Sequence, residues 1–486
     1  MRGKSIIESR GSEFRALLCS LALFAFGLAA VSQNNPTATN KPVKTFRAGA
    51  ATSNVTPPLG LSINGGMQDG KATHIHDELH ARCLVLDDGQ TRLAFVVVDS
   101  CMIPREISDA AKRTIQNQTG IPTSHILMSA THTHSAPACA SVFQSDPDIA
   151  YQTFLTWRIA DGVQRAVNNL APAKIGWGFG KVPDQVFNRR WKMKPGTVLK
   201  NPFGGTDQVQ MNPGVGNANL LEPAGPTDPE VSIVSVQSVD DHPLALLTNY
   251  SLHYCGGVGG GHISADYYGM FADRIQQLLG ADRRDPPFVA MMSNGTSGNI
   301  NFRGGQAKQP SYGQMRLVAN EVADEALRVY QRIQHLDWAP LNAQQKEIQL
   351  GVRLPGKEEV ERARQIMAET KNPVMQTLEQ IYARETVLIS LYPAKVPMIL
   401  QTLRIGDLRI AAIPCEVFVE IGLKLKQKHP PVFTISLANG YNGYLPTLEH
   451  HKLGGYETWR ARSSYLEVEA APKILHTLTE LLARFK

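Results

Sequence analysis

Residues 91–99 read TRLAFVVVD and residues 125–134 read HILMSATHTH. Each is an unbroken apolar run that closes on residues able to do chemistry, Asp99 in the first and His132 and His134 in the second. A strand covered on one face alternates apolar with polar, whereas one covered on both faces is apolar throughout. Working outward, further apolar strands fall at 174–178, 232–237, 244–249, 288–292, 408–413 and 432–437, with helical patterns at 105–118 and 151–169. The expected fold is α/β, a mixed central sheet flanked by helices, built as a single large catalytic domain over residues 45–486. A charged helical pair, 357–369 and 373–391, reads as an insertion at about 356–391, and ILHTLTELLARF (474–485) reads as a closing amphipathic helix.

The 486 residues are 43% hydrophobic and 19% charged, which excludes a disordered chain. The 40 Gly and 30 Pro follow no triplet period, so they signal turns rather than collagen. Net charge is +6, but the basic residues are scattered and form no stripe, so nucleic acid is not an expected partner. At the start, Arg2, Lys4, Arg10 and Arg15 precede the apolar run ALLCSLALFAFGLAA, and Ala30 and Ser32 flank Val31. That is the pattern of a cleaved export signal over residues 1–32, too short for a good membrane span, followed by a polar linker over 33–44. The expected location is therefore periplasmic or secreted. Removing 1–32 takes away four basic and two acidic residues, so +6 becomes +4, enough only for weak association with an anionic membrane surface. The remaining cysteines, Cys83, Cys101, Cys139, Cys255 and Cys415, contain no CxxC pair and read as buried free thiols, with room for one disulfide.

In an extended THTHS segment, the period of two puts His132 and His134 on one side, about 7 Å apart. That spacing suits one metal ligand beside one proton-transfer group. His253 follows the apolar run LALLTNY. Glu416 follows RIAAIP, where a buried carboxylate needs a cation, a metal or a partner. Two imidazoles, a carboxylate and an open position make a catalytic zinc set. Residues 76–80 (HDELH) miss the HExxH order and lie in a strand-like alternation, so a zincin is rejected; His74, His76 and His80 read as exposed strand histidines, with a place near the pocket as the alternative. GGVGGGH (256–262) lacks the Lys-Ser/Thr of a P-loop, and no dinucleotide fingerprint is present. Ser297 does not stand in a GxSxG elbow. Asp99 is a candidate acceptor for a histidine N–H or, alternatively, a salt-bridged strand end.

These residues occur together with RAGAATSNVTPPLG (47–60), SATHTHSAP (129–137), FNRR (187–190), NGTSGNINF (294–302), IPCEVF (413–418) and NGYNGYLPT (439–447). From about Phe46 to the C-terminus, the combination resembles the neutral, non-lysosomal ceramidase catalytic domain. The resemblance implies Zn2+ bound by His132, His253, Glu416 and Tyr444, with His134 beside the metal as a proton-transfer group. It implies that Arg189 and Tyr456 contact the reacting amide, and that Ser297 is either a nucleophile or an oxyanion donor; the donor is preferred, because no adjacent general base can be named. Tyr444 could instead hold a ligand from behind. The implied activity is that of an exported hydrolase cleaving the N-acyl amide bond of a small lipid by zinc-activated water.

The sequence departs from the family where Gly295 and Gly298 replace an acidic residue and a proline around Ser297. Ala136 also replaces the usual Gly. The better-known members carry an extra C-terminal β-sandwich, so the expectation here is a catalytic domain without that appendage. Two other readings stay open: a hydrolase of the same fold acting on another N-acyl amide or ester, glycan- or peptide-derived, and a non-catalytic zinc- or carbohydrate-binding module.

Overall fold

The computed structural model describes residues 44–214, 216–302 and 311–485. The expected export signal, and all of the linker except Lys44, lie outside the described residues.

The run that decides the fold does so by facing two cores. In the strand Arg92–Val98, Ala94, Val96 and Val98 pack under the helices Arg105–Thr119 and Ile149–Asn168. Phe95 and Val97 point the other way, into a core shared with a second sheet. Each such side chain taken from water contributes roughly 1.5–3 kcal/mol, so neither face tolerates a polar residue.

Eight strands form the larger sheet, in the order Val289–Asn294, Pro243–Tyr250, Glu230–Ser238, Ala171–Lys181, Arg47–Asn54, His80–Asp87, Arg92–Val98 and Ile126–Ala130. Its middle is antiparallel and its two edge pairs are parallel. A smaller sheet runs Leu341–Gly351, Lys395–Ile405, Leu408–Ala412 and Val432–Ile435, and its last pair is also parallel. The two sheets face each other across one apolar core. Helices Asp266–Leu278 and Gly313–Tyr330 join the two already named on the outer face of the larger sheet. Val419–Lys428 and Ala470–Ala483 cover the smaller one. The layers are helix, sheet, sheet, helix, so each buried strand is covered by helices on one side and by strands on the other.

A parallel pair needs a crossover, and three helices supply it: Arg105–Thr119, Asp266–Leu278 and Val419–Lys428. Ligand crevices in α/β sheets form at the carboxyl ends of parallel strands. Here one segment brings those ends together. Ser436 N–H donates to the Asn294 carbonyl (2.9 Å), Ala130 N–H to Leu437 (3.2 Å) and Asn439 N–H to Met128 (2.7 Å). Residues 436–439 therefore lace both edges of the larger sheet to the end of the smaller.

The helical pair occupies the connection between Leu341–Gly351 and Lys395–Ile405, two strands paired along their whole length. Its first helix is Lys357–Glu369. The second starts at Leu378 rather than at 373, because the Thr377 side chain caps it and Gln380 completes a capping box. All five cysteines among the described residues are buried and unpaired. No helix among them is long and apolar enough to cross a membrane.

Candidate metal centre

His132 stands two residues past the strand Ile126–Ala130, with its N–H on the Ser100 carbonyl at 2.9 Å. Its φ of 76° is left-handed, so the segment is not extended and the period-of-two argument does not describe it. The turn nevertheless brings both imidazoles inward: His134 Nε2 lies 3.2 Å from His132 Nε2, well inside the about 7 Å expected of an extended segment. His253 follows Pro243–Tyr250 and places its Nε2 3.1 Å from His132 Nε2. Glu416 pairs in parallel register with Tyr444, and its Oε2 lies 3.2 Å from His132 Nε2 and 3.9 Å from His253 Nε2. Donor atoms of His132, His253 and Glu416 all fall within 4.8 Å of one another; His134 falls outside that set and forms a second one with His132 and Cys101.

The other side of each imidazole is tied to the main chain. His132 Nδ1 lies 2.7 Å from the Cys101 carbonyl, His253 Nδ1 lies 3.2 Å from the Ser297 carbonyl, and the His134 ring bonds to the Gly65 backbone. Those carbonyls assign the proton to the outer nitrogen and turn each Nε2 lone pair inward. Glu416 Oε1 accepts from the Tyr441 hydroxyl at 2.9 Å, whereas the buried Oε2 has no hydrogen-bond partner. The arrangement calls for positive charge. Burial works against a charge on His132, but the Glu416 carboxylate outweighs it and lifts the imidazole to about 10. Burial, with Arg189 and His132 nearby, pushes His253 well below its usual range; burial and His132 do the same to His134. Tetrahedral zinc with bonds of 2.0–2.1 Å separates its ligand atoms by about 3.3 Å, close to the spacing of this set. The residues fit the ion.

Around these donors stand the other expected residues. Arg189 donates through Nη2 to the Tyr444 hydroxyl (3.1 Å) and through Nε to Glu457 (2.8 Å). Tyr456 sets its ring edge-on to Tyr444, with centroids 5.7 Å apart. Burial, together with Glu416, raises both phenols, so without a metal ion they stay protonated. Ser297 gives its hydroxyl to Asn294 Oδ1 at 2.7 Å, and among the described residues no imidazole or carboxylate hydrogen-bonds that hydroxyl; His253 meets only the Ser297 carbonyl. Asp99 does not serve a histidine ring: it pairs with Arg82 (2.6 Å) and accepts the His80 N–H, because a fully buried carboxylate takes the nearest cation. His74 and His76 are exposed and His80 half-buried.

Residues 46–383 match the family described as neutral/alkaline non-lysosomal ceramidase, N-terminal. The chain belongs to this family. Neutral ceramidase A of Dictyostelium discoideum is 23% identical over 284 residues, 53% of this chain and 36% of that protein. Neutral ceramidase of Pseudomonas aeruginosa is 24% identical over 306 residues, 60% of this chain and 40% of the relative. The chain thus spans two fifths or less of these relatives. The solved structure of the Pseudomonas aeruginosa neutral ceramidase shares the fold with a TM-score of 0.69 at 17% identity, covering 90% of this chain and 74% of that one. A structure of a ceramidase complexed with C2 gives 0.69 at 16% identity, covering 90% and 75%. The family match runs through the first helix of the charged pair and into the second, so that pair lies largely within the ceramidase span.

One departure from the ceramidase pattern has a visible accommodation. Gly298 donates its N–H to the Val417 carbonyl at 2.8 Å, a bond proline cannot make, and a Cβ there would sit 2.5 Å from the Glu416 carbonyl oxygen. The second arginine of FNRR also acquires a reason. Arg190 is fully buried and shares Glu457 with Arg189, while its Nε donates to His450, which in turn bonds Glu420. Sequence reading assigns no role to Glu457 or Gly65, and places Tyr441 only as a chemistry-bearing residue at a strand end. Glu457 had a signal, a lone acid in YETW that could answer two adjacent arginines. Tyr441 lies in NGYNGYLPT, three residues before Tyr444. Gly65 had none.

Proposed function

We propose that this ceramidase-family chain is a zinc-dependent hydrolase of N-acyl amides, with a small lipid as substrate. The observation that carries the proposal is the convergence of His132, His253 and Glu416, with the histidine tautomers fixed by backbone carbonyls and Glu416 Oε2 unpartnered. His132, His253, Glu416 and Tyr444 would hold the ion. Zinc bound there supplies a Lewis acid that polarises a carbonyl and lowers the pKa of water.

The chain's own residues supply the rest. His134, kept neutral by burial and by its neighbour, takes a proton at Nε2 and returns it to the leaving amine. Arg189, anchored by Glu457, and Tyr456 donate to the oxyanion. Ser297 is read as an oxyanion donor rather than a nucleophile, because no base contacts its hydroxyl; to act, that hydroxyl turns away from Asn294. The basic start and apolar run before residue 33 support export as the setting.

The replaced residues around Ser297 favour a second reading, the same chemistry on a different N-acyl amide or ester. The test is a panel of long- and short-chain N-acyl substrates, run with and without chelator on wild type and His132→Ala, with metal analysis of the purified chain. Ceramide cleavage that is lost with chelator and in His132→Ala supports the main reading. Turnover of short acyl amides alone sinks the lipid substrate. Stoichiometric zinc without turnover would point to a binding module, and absence of zinc would overturn the metal assignment.

A further inference from the structure

Behind Tyr441 lies a cavity of about 680 Å3 that contains none of the proposed metal ligands. Its walls come from the loop after Leu378–Ile389, the first residues of Lys395–Ile405, the start of Arg105–Thr119 and residues 139–147. The volume falls in the range of small-ligand clefts, about 300–1,000 Å3. Leu388, Leu391, Val396, Met398 and Ile399 supply apolar surface, and Leu391 stands 77% exposed at the mouth. Five prolines frame the cavity and offer a ligand no N–H.

Apart from the Tyr392 hydroxyl, the polar side chains on the walls are mostly spent on the protein itself. Tyr441 bonds Glu416, Tyr465 bonds Asn442, and Gln152 bonds the Cys139 carbonyl. Arg105 pairs with Asp109 and Glu347, and Arg462 with Glu385. A wall whose donors and acceptors are largely satisfied presents mostly apolar surface to anything that enters, and the Tyr392 hydroxyl offers an uncharged head a polar contact. Among the described residues, Glu106 is the lining charge without an ion-pair partner, and it is exposed. A carboxylate head would meet that negative charge with no free cation to answer it; an uncharged or amine head would not.

We propose that this cavity binds a single apolar chain whose head is not anionic, at a site separate from the metal centre and sharing the Tyr441 wall with it. The proposal stands whether or not the chain hydrolyses amides, so its test uses binding alone. The neutral dye N-phenyl-1-naphthylamine is titrated by fluorescence into the full chain, with zinc loaded and with zinc removed. One saturable site is expected in both states. Leu391→Glu, at an exposed position that folding does not need, and Val396→Trp, which fills the groove from a half-buried one, should each weaken binding about tenfold or more. His132→Ala should leave it unchanged. Dodecylamine and dodecanol should displace the dye, and dodecanoate should not. Dye binding that survives both cavity variants but is lost in His132→Ala puts the ligand in the metal pocket and overturns the proposal. Equal displacement by dodecanoate overturns the assignment of the head, and absence of saturable binding overturns the site.

Discussion

At the scale of single residues, the centre depends on atoms that hold its side chains from behind. Gly65 has a φ of +111°, and a Cβ there would lie 2.4 Å from the ring of His134. Gly65→Ala should displace His134 and lower kcat by about a hundredfold or more, the scale of a lost proton-transfer group. Bound zinc, measured by elemental analysis, should stay at the wild-type level, because His134 lies outside the ligand set; a parallel loss of zinc would make it a ligand. Tyr441→Phe frees Glu416 Oε1 without opening a hole. Zinc affinity, followed by competition with a chelating dye, should fall about 10–100-fold while the circular dichroism is retained. His132 shows where reading residues one at a time fails. Its left-handed φ is set by the Ser100 and Cys101 carbonyls it must reach, contacts 31 and 32 residues away that no local pattern records.

At the scale of elements, the apolar runs predicted their strands because each run is long enough to cover both faces. The charged helical pair was legible from its own periodicity. What holds it was not. Glu385, fully buried on Leu378–Ile389, is gripped by Arg462 at 2.7 and 2.9 Å, and Arg462 also donates to the carbonyls of Ser141 and Phe143. Removing one partner of a buried pair leaves an unanswered charge and costs about 3–5 kcal/mol. Glu385→Ala should therefore raise hydrogen exchange across Leu378–Ile389, while the strands Arg92–Val98 and Ile126–Ala130 keep their protection. Uniform loss of protection would mean that the pair is part of the main cooperative unit rather than a docked element.

At the scale of the whole molecule, stability should carry a pH signature from Lys112. Its Nζ donates to Asn439 Oδ1 at 2.6 Å in a buried position, where burial lowers it to about 7; Asp109 works against that shift and Arg105 with it. Between about pH 7 and the ordinary lysine range, the unfolded chain holds a proton that the folded chain lacks, so stability rises with pH across that window. Urea denaturation should show this rise, and Lys112→Met should flatten it. Asn439 belongs to the segment that laces the two sheets, so Lys112 bears on the joint beneath the candidate metal centre.

The sequence by itself determined the α/β class, the strands, and the residue types that could bind a metal, because apolar periodicity and the cost of an unpaired buried carboxylate are local facts. Only the tertiary structure decided that the sheet's second face is covered by another sheet, that Asp99 serves Arg82, and that Tyr441, Gly65 and Glu457 support the centre. Those outcomes depend on contacts that span from 17 residues, between Arg82 and Asp99, to 268, between Arg189 and Glu457, and the site forms where residues 436–439 join strand ends from both sheets. Spacing along a chain carries no record of such contacts.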